Sequence, residues 1–214
     1  MDRTLPLLLA GLLLAAPAAA PAATPATADG GLLSLERQWD HIAYELPKAE
    51  RAAAFDRLAA DFHRLAEARP QAAAPRVWEA ITLASEAGAK GGLGALSLVK
   101  RARKLLLEAL RLEPNPKDDA VFTTLGSLYD QVPGWPIGFG DAHKAEAYLK
   151  RALALNPQGI DANFFYGQYL HHHHRDREAA TYLKRCLTAP PRPGREVGDA
   201  GRREQARQLL ATLR

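Results

Sequence analysis

The sequence predicts an all-α fold made of antiparallel helix pairs stacked in a row, and three observations support this fold class. Apolar residues recur three and four positions apart in one segment after another, which is the period of an amphipathic helix. Proline stands at the ends of several of these segments, where a helix has to begin or stop. Three successive segments, residues 75–115, 119–157 and 160–191, also share one order of small, bulky and terminating residues.

The second segment shows the shared order most clearly. Its pattern positions are occupied by Phe122, Leu125, Gly126, Tyr129, Ala145, Leu149, Ala152 and Pro157. Gly126 and Ala145 are small, so two antiparallel helices can approach each other closely there. Tyr129 and Leu149 fill the space between the helices, and Pro157 ends the second one. This order is typical of a tetratricopeptide repeat.

An insertion at residues 131–141 separates the two halves of this repeat by about seven residues more than the unbroken pattern has. The segment (QVPGWPIGFGD) is too rich in Pro and Gly to be helical and too aromatic to be an ordinary solvated turn. Its apolar side chains are Trp135, Ile137 and Phe139. We expect them either to close a binding groove as a lid or to tuck between neighbouring repeats.

The first repeat is degenerate. Trp78 takes the aromatic position of its first helix. The second-helix positions hold Ala102, Leu106, Ala109 and Pro114. The two halves stand about eight residues further apart than in an unbroken repeat, and the glycine-rich residues 88–94 fill the gap. We expect a flexible interhelical loop there, because no strand precedes it and it lacks the Gly-Lys-Ser/Thr ending of a phosphate loop.

Helices are also expected on both sides of the repeats. After a Gly-Gly hinge at residues 30–31, one helix is predicted over residues 34–44 and another stops before Pro70. In the third repeat Cys186 falls where a small residue packs against the partner helix, so we expect a buried thiol and not a nucleophile. A final helix over residues 199–213 would cap the last apolar face of the array.

The first 28 residues have the layout of a secretory signal peptide followed by an Ala/Pro-rich segment. Arg3 precedes an apolar core at residues 5–14, which is too short for a membrane span. Cleavage sites of the small-x-small type end at Ala22 and Ala28, and no Cys lies there to carry a lipid anchor. We therefore expect residues 29–214 to form one helical domain, periplasmic or secreted, without a stable membrane span after signal removal.

Composition and motifs predict a protein that is not an enzyme and carries no cofactor. A formal charge of +4 spread along the chain does not indicate nucleic-acid binding. No serine or cysteine elbow and no recognisable carboxylate pair is present. The weak metal candidates are His171, His172, His173 and His174. Consecutive histidines point in different directions, so we favour a solvated turn over a metal site.

A groove is expected where the first helices of successive repeats present their outward positions. These positions mix apolar and hydrogen-bonding side chains, which suits an extended peptide or a small amphipathic molecule. The predicted groove residues are Glu79, Leu83, Thr123, Ser127, Phe164, Gln168 and His171. Near the C-terminus, Arg195 and Arg202 would either bind an anion or pair with Asp199, and structural pairing is the interpretation that we favour.

Residues 125–141 (LGSLYDQVPGWPIGFGD) resemble the signature of the TatT family, the exported tetratricopeptide-like T components associated with TRAP transporters. Further matches lie at residues 156–161, 165–167, 191–195 and 199–203. The resemblance covers about residues 33–214. It implies an all-helical fold, a periplasmic location, homo-oligomers, and binding of a small apolar ligand or a periplasmic solute-binding partner. The histidine run departs from the family, whose relatives have a polar, Gly-containing turn there.

Three functions remain open at this point. The favoured one is a transport-associated binding protein for a small apolar or amphipathic ligand, a solute-binding partner, or both. The second is a periplasmic protein-interaction scaffold unrelated to transport. The third is metal binding through the histidine run.

Overall fold

The computed structural model describes residues 25–213, and nearly all of the predicted signal peptide lies outside that range. The described residues form nine helices and no strand. They are α1 (Pro25–Tyr44), α2 (Lys48–Ala68), α3 (Ala74–Lys90), α4 (Gly92–Leu112), α5 (Ala120–Gln131), α6 (Ala142–Leu155), α7 (Ile160–His172), α8 (Asp176–Thr188) and α9 (Glu196–Thr212). The predicted all-α repeat array is therefore confirmed.

The helix pairs pack as the repeat pattern predicts. A Cβ added to Gly126 on α5 would lie 2.5 Å from Leu149 Cγ on α6, and one added to Gly167 on α7 would lie 2.8 Å from Leu183 Cγ on α8. Both leucines are fully buried, and burying such a side chain stabilises the fold by about 1.5–3 kcal/mol. The small residue and the facing leucine thus bring each pair of helices into close contact in two successive repeats.

Cys186 lies in the same kind of position as these small helix-facing residues and is fully buried. Burial raises the pKa of its thiol to about 12. Because the thiolate is the reactive form of cysteine, the side chain behaves as a small apolar residue in the cluster between α8 and α9.

The two glycine-rich segments near the N-terminus are helical, which corrects both expectations about them. The Gly-Gly pair at residues 30–31 lies inside α1, which already begins at Pro25, so it is not a hinge. Residues 88–94 are not a flexible loop, because α3 continues to Lys90 and α4 begins at Gly92. Glycine lowers helix stability without removing a hydrogen bond, and no proline interrupts this stretch. The extra residues therefore lengthen both helices of the first repeat.

The helix array closes on itself. The odd-numbered helices contact one another in sequence order from α1 to α9, and α9 in turn contacts α1. These five helices therefore form a closed inner ring, with the even-numbered helices paired against them. In an open row of repeats, the first and last helices would not contact each other.

Charged and close-packed contacts join α1 to α9. Arg195 donates two hydrogen bonds to Asp40, from Nε at 2.6 Å and from Nη2 at 2.7 Å, and a third to Glu36 at 3.2 Å. Gly198 and Gly201 on α9 lie directly against Asp40 and Tyr44, where no Cβ would fit. Arg195 and Asp40 are both buried, and removing one partner of such a pair costs about 3–5 kcal/mol.

Candidate functional site

A central cavity of about 1460 Å³, open to solvent, lies inside the ring, and all five odd-numbered helices contribute side chains to it. Helices α2 and α4, the loop after α5 and the segment before α9 complete its walls. Pockets for drug-sized ligands have volumes of about 300–1000 Å³. This cavity is larger, and its size suits an elongated molecule or a segment of another polypeptide.

Apolar side chains, several of them aromatic, line much of the cavity. Its larger apolar side chains are Trp39, Phe55, Trp78, Ile81, Leu96, Leu128, Val132, Ile137 and Phe165. Trp39 and Trp78 meet edge to face, with ring centroids 6.1 Å apart. Trp39 Nε1 donates to Ser85 Oγ at 3.1 Å, which satisfies the indole N–H. Hydrocarbon placed against the Trp39 ring would therefore leave its N–H hydrogen-bonded.

Charged residues line the end of the cavity at which α5, α7 and α9 begin. Arg192 donates to Asp161 at 2.6 Å, and Arg202 donates to the other carboxylate oxygen of Asp161 at 2.6 Å. Burial would raise the pKa of Asp161, but the charges of Arg202 and Arg192 outweigh burial and hold the pKa well below its ordinary value of 3.8. Asp161 therefore stays ionised and keeps both arginines in place.

At two further carboxyl groups of this end the net pKa shift is in the opposite direction, because burial outweighs the interactions that oppose it. Burial raises the pKa of Glu36, although Arg195 partly opposes it. Burial also raises the pKa of Asp119, in spite of hydrogen bonds from Asn156 and Thr123. Since cations and carboxylates alternate here, the charged end offers both donors and acceptors to the polar part of a ligand.

Thr123 and Ser127 lie on the cavity wall, as the groove prediction placed them. Gln131, which the sequence analysis did not single out as a site residue, also lines the wall. Its Nε2 donates to Ser127 Oγ at 2.7 Å and to Gln168 Oε1 at 3.3 Å. Gln168 is half-buried and connects α7 to α5 through this contact.

Leu83 and Phe164 are core residues, which corrects their assignment to the groove. Leu83 is buried in the main hydrophobic cluster, and Phe164 packs under the Arg202 guanidinium at 4.7 Å. Glu79 is buried too and pairs with His63 and Arg101. Successive helix residues point about 100° apart. The error is thus one of rotation, because neighbouring residues on α3 and α7 face the cavity instead.

The aromatic position shows the same rotation between the first two repeats. Trp78 lines the cavity, whereas Phe122, which has the equivalent place in the sequence pattern, is fully buried in the core. The degenerate first repeat therefore does not share the register of the second. The sequence signal for this part of the cavity is Trp78, a large aromatic residue in a repeat that otherwise matches the pattern weakly.

The three apolar side chains of the insertion go to three different places. Phe139 packs edge to face on Tyr129 with centroids 5.4 Å apart, so it tucks between helices. Ile137 borders the cavity. Trp135 is 90% exposed and points to solvent, which is not the position of a closed lid.

The arginines predicted to bind an anion or to pair are all paired. Arg195 binds Asp40 and Glu36, and Arg202 binds Asp161. Asp199 accepts hydrogen bonds from Arg192, at 2.7 Å from both the backbone N and Nε. The observed partners of Arg195 and Arg202 therefore differ from the expected partner, Asp199. The reason is that the folded chain brings α1 and α7 next to the segment before α9.

The histidine run ends α7 and begins the following turn. His171 contacts Asp176 at 2.8 Å, and His172 and His173 both contact Asp130 on α5, at 2.7 and 3.2 Å. The hydrogen bond with Asp130 raises the pKa of His172, and partial burial opposes it. His174 has a φ of 60° in the turn. Within residues 25–213, no group of three or more His, Cys, Asp or Glu side chains is arranged to hold a metal ion.

None of the helices in the described part of the chain is both long enough and apolar enough to span a membrane.

The fold is similar to that of a solved tetratricopeptide protein. The crystal structure of TTC0263, a thermophilic TPR protein in Thermus thermophilus, matches with a TM-score of 0.56 at 17% sequence identity, covering 86% of this chain and 82% of that chain. An identity this low shows a shared fold and nothing of function. No protein-family model matches the sequence, so membership of the TatT family stays a prediction. A search of curated proteins finds no match either.

Proposed function

We propose that the protein is an exported, non-enzymatic binding protein that holds a small apolar or amphipathic ligand inside its helical ring. The observation that carries this proposal is the central cavity, which combines aromatic side chains with a cluster of paired charges where α5, α7 and α9 begin. A ligand with a hydrocarbon body along Trp78 and a polar group towards Arg192 would bury apolar surface and keep its polar atoms hydrogen-bonded.

The place of action that we propose is the periplasm, as a TRAP-transporter T component that works with a solute-binding partner. Support comes from the signal-like residues 1–28 and from the insertion at residues 131–141, which carries the resemblance to that family. N-terminal sequencing of the protein recovered from a periplasmic fraction tests the location. Recovery in the cytoplasm with the first residues intact would contradict it.

Native mass spectrometry of the protein purified from its own host tests the ligand proposal. We expect an added mass that denaturation releases as a discrete apolar compound. Ser127→Phe, which fills space on the cavity wall, should lower the bound fraction. Ala147→Phe, at an exposed site on α6, is the matched control and should leave it unchanged. An apo mass for the native protein, or equal occupancy in both variants, would overturn the proposal.

The second candidate is a protein-interaction scaffold unrelated to transport. The observation that favours it is the likeness to a TPR protein, together with a cavity large enough for a polypeptide segment. The same spectra separate the two functions, because a scaffold would retain another polypeptide and release no small molecule. Metal binding through the histidine run ranks last, since Asp130 and Asp176 already engage His171, His172 and His173.

A further inference from the structure

The loop between α5 and α6 is held in one shape by its own backbone. Gly138 N donates to Gly134 O at 3.0 Å, Gly140 N donates to Pro133 O at 2.9 Å, and Asp141 N donates to Tyr129 O at 2.9 Å. Backbone atoms of residues 132 and 133 lie so close to Gly138 and Gly140 that neither has room for a Cβ. The side chains at the tip are thus presented by a tightly closed loop.

That tip presents apolar side chains to solvent. Trp135 is 90% exposed and Ile137 is 65% exposed, and Pro133 and Pro136 beside them are exposed as well. We call these four residues the apolar tip. Phe139 in the same loop is half-buried against Tyr129, whereas the two large apolar residues at the tip are exposed. Large apolar residues grouped on an exposed surface mark a contact with another apolar phase.

Cations surround the base of this loop. The Arg103 guanidinium on α4 lies 4.3 Å from the centroid of the Phe139 ring, and Lys144 Nζ lies 5.6 Å from the centroid of the Tyr129 ring. Lys100 lies within one helical turn of both Arg103 and Lys104 on α4. In the described part of the chain, no carboxylate lies within 4 Å of the charged groups of Lys100 and Arg103.

The carboxylates near the loop neutralise only part of this charge. Asp141 pairs with Lys144 at 3.3 Å, and Glu108 lies 3.9 Å from Lys104. Asp130 is covered by two histidines of the following repeat. Four cations (Lys100, Arg103, Lys104 and Lys144) therefore lie near two partly exposed carboxylates (Glu108 and Asp141). The formal charge of the whole chain is +4.

We propose that the apolar tip docks on an anionic lipid surface, with Trp135 and Ile137 entering the boundary between headgroups and acyl chains. Lys100, Arg103 and Lys144 would then face lipid phosphates. Exposed Trp beside Lys and Arg is the combination that interfacial membrane binding uses. This contact involves no membrane span. Pro133 and Ile137 also border the central cavity, so the apolar tip lies at the edge of that cavity.

The size of the tip favours a lipid surface over a protein partner. A stable protein interface buries about 800 Å² on each side, whereas an aromatic side chain buries only about 150–250 Å². One Trp, one Ile and two prolines therefore offer less apolar surface than a stable complex needs. A lipid surface needs no complementary shape, and each cation near it adds to the attraction.

Tryptophan fluorescence of the full chain with lipid vesicles tests the proposal. Trp39 and Trp78 pack in the aromatic cluster of α1 to α3 and line the central cavity, so the part of any emission shift that Trp135→Ser removes is the part that reports Trp135. Residues 1–38 contain no Trp, and binding through the N-terminal apolar segment would not produce this signal. We expect the shift, and quenching by brominated acyl chains, with vesicles of equal parts phosphatidylcholine and phosphatidylglycerol.

Matched variants test whether the apolar tip, and not another part of the chain, binds the vesicles. Trp135→Ser should abolish the shift and leave thermal unfolding unchanged. Lys100→Gln and Arg103→Gln should each weaken vesicle affinity about fivefold at low salt. Arg111→Gln, about 12 Å further along the same helix, should leave affinity unchanged.

Three results would overturn the proposal. One is the absence of any shift with anionic vesicles, and another is a shift of equal size with pure phosphatidylcholine. The third is a shift that grows with protein concentration without vesicles, which would assign the tip to contact with a second copy of the chain.

Discussion

Two repeats of this protein carry glycine-rich insertions that fold in opposite ways. Residues 88–94 in the first repeat contain four glycines, yet they extend α3 and α4 with only Gly91 between them. Residues 132–140 in the second repeat also contain several glycines, but they form a closed loop with an apolar tip. The same excess of glycine therefore leads to helix in one repeat and to loop in the other.

Proline accounts for much of the difference. A glycine in a helix costs about 1 kcal/mol relative to alanine, whereas a proline costs about 3 kcal/mol because it lacks the N–H and clashes with the preceding turn. Residues 88–94 contain no proline, and the loop contains Pro133 and Pro136. Glycine weakens a helix that packing can still stabilise, while two prolines prevent it from continuing.

Among substitutions in the two insertions, the largest loss of stability is expected at Gly140. Gly140→Ala places a Cβ against the carbonyl oxygen of Val132, so the backbone has to move, and we expect a loss of about 2–3 kcal/mol in the free energy of unfolding. Chemical denaturation measures it. Gly134→Ala is the control, because its Cβ would meet Gly140 O at an ordinary 3.5 Å. Equal stability of the two variants would show that the loop is not tightly closed.

A smaller loss is expected at the junction of α3 and α4. Gly91 has a φ of +63° and a ψ of −173°, a backbone region used almost only by glycine that costs other residues about 1–3 kcal/mol. Gly91→Ala should therefore lower the unfolding free energy by about 1 kcal/mol, even though a Cβ there meets nothing within 4 Å. Thermal unfolding followed by circular dichroism measures the change. A gain in stability would indicate that α3 and α4 merge without a turn.

A gain in stability is expected from a substitution at Gly88, three residues before Gly91. Gly88 is exposed inside α3 and a Cβ there meets nothing within 4 Å, so Gly88→Ala should stabilise the fold by about 0.5–1 kcal/mol. The same unfolding experiment applies. If Gly88→Ala destabilised the protein, residues 88–94 would be a loop in solution, as the sequence analysis expected.

The smallest effect on stability is expected at the loop tip. Trp135→Ala removes a side chain that is 90% exposed, and surface changes of this kind alter stability by less than about 0.5 kcal/mol. Differential scanning calorimetry checks this. A loss above about 2 kcal/mol would mean that the indole packs against the protein.

The parts of the fold that follow from local spacing were predictable. Gly126 and Leu149 are joined by one helix hairpin, so the repeat pattern alone places them in contact. Arg195 and Asp40 are 155 residues apart in the chain. No short-range pattern relates them, and closure of the ring therefore could not be derived from the sequence.

The cavity wall was only partly predictable, and the reason is rotational register. Thr123 and Ser127 line the cavity, and both belong to the second repeat, which matches its pattern at every position used. Leu83 was misplaced because it lies two residues, about 200° of helix rotation, from the cavity residue Ile81. A degenerate repeat pattern predicts where the helices lie along the sequence. It does not predict the rotation of each helix about its axis, which decides which residues face the cavity.

The closure of the ring through Arg195 and Asp40 has a consequence for how this protein can evolve. Open arrays can gain or lose repeats by duplication, because a new unit only moves the end further away. Here an added helix pair would separate Gly198 from Asp40 and Gly201 from Tyr44, and would leave two buried charges without partners. The number of repeats is therefore held constant by the contact between the first helix and the last, and variation is confined to insertions within repeats.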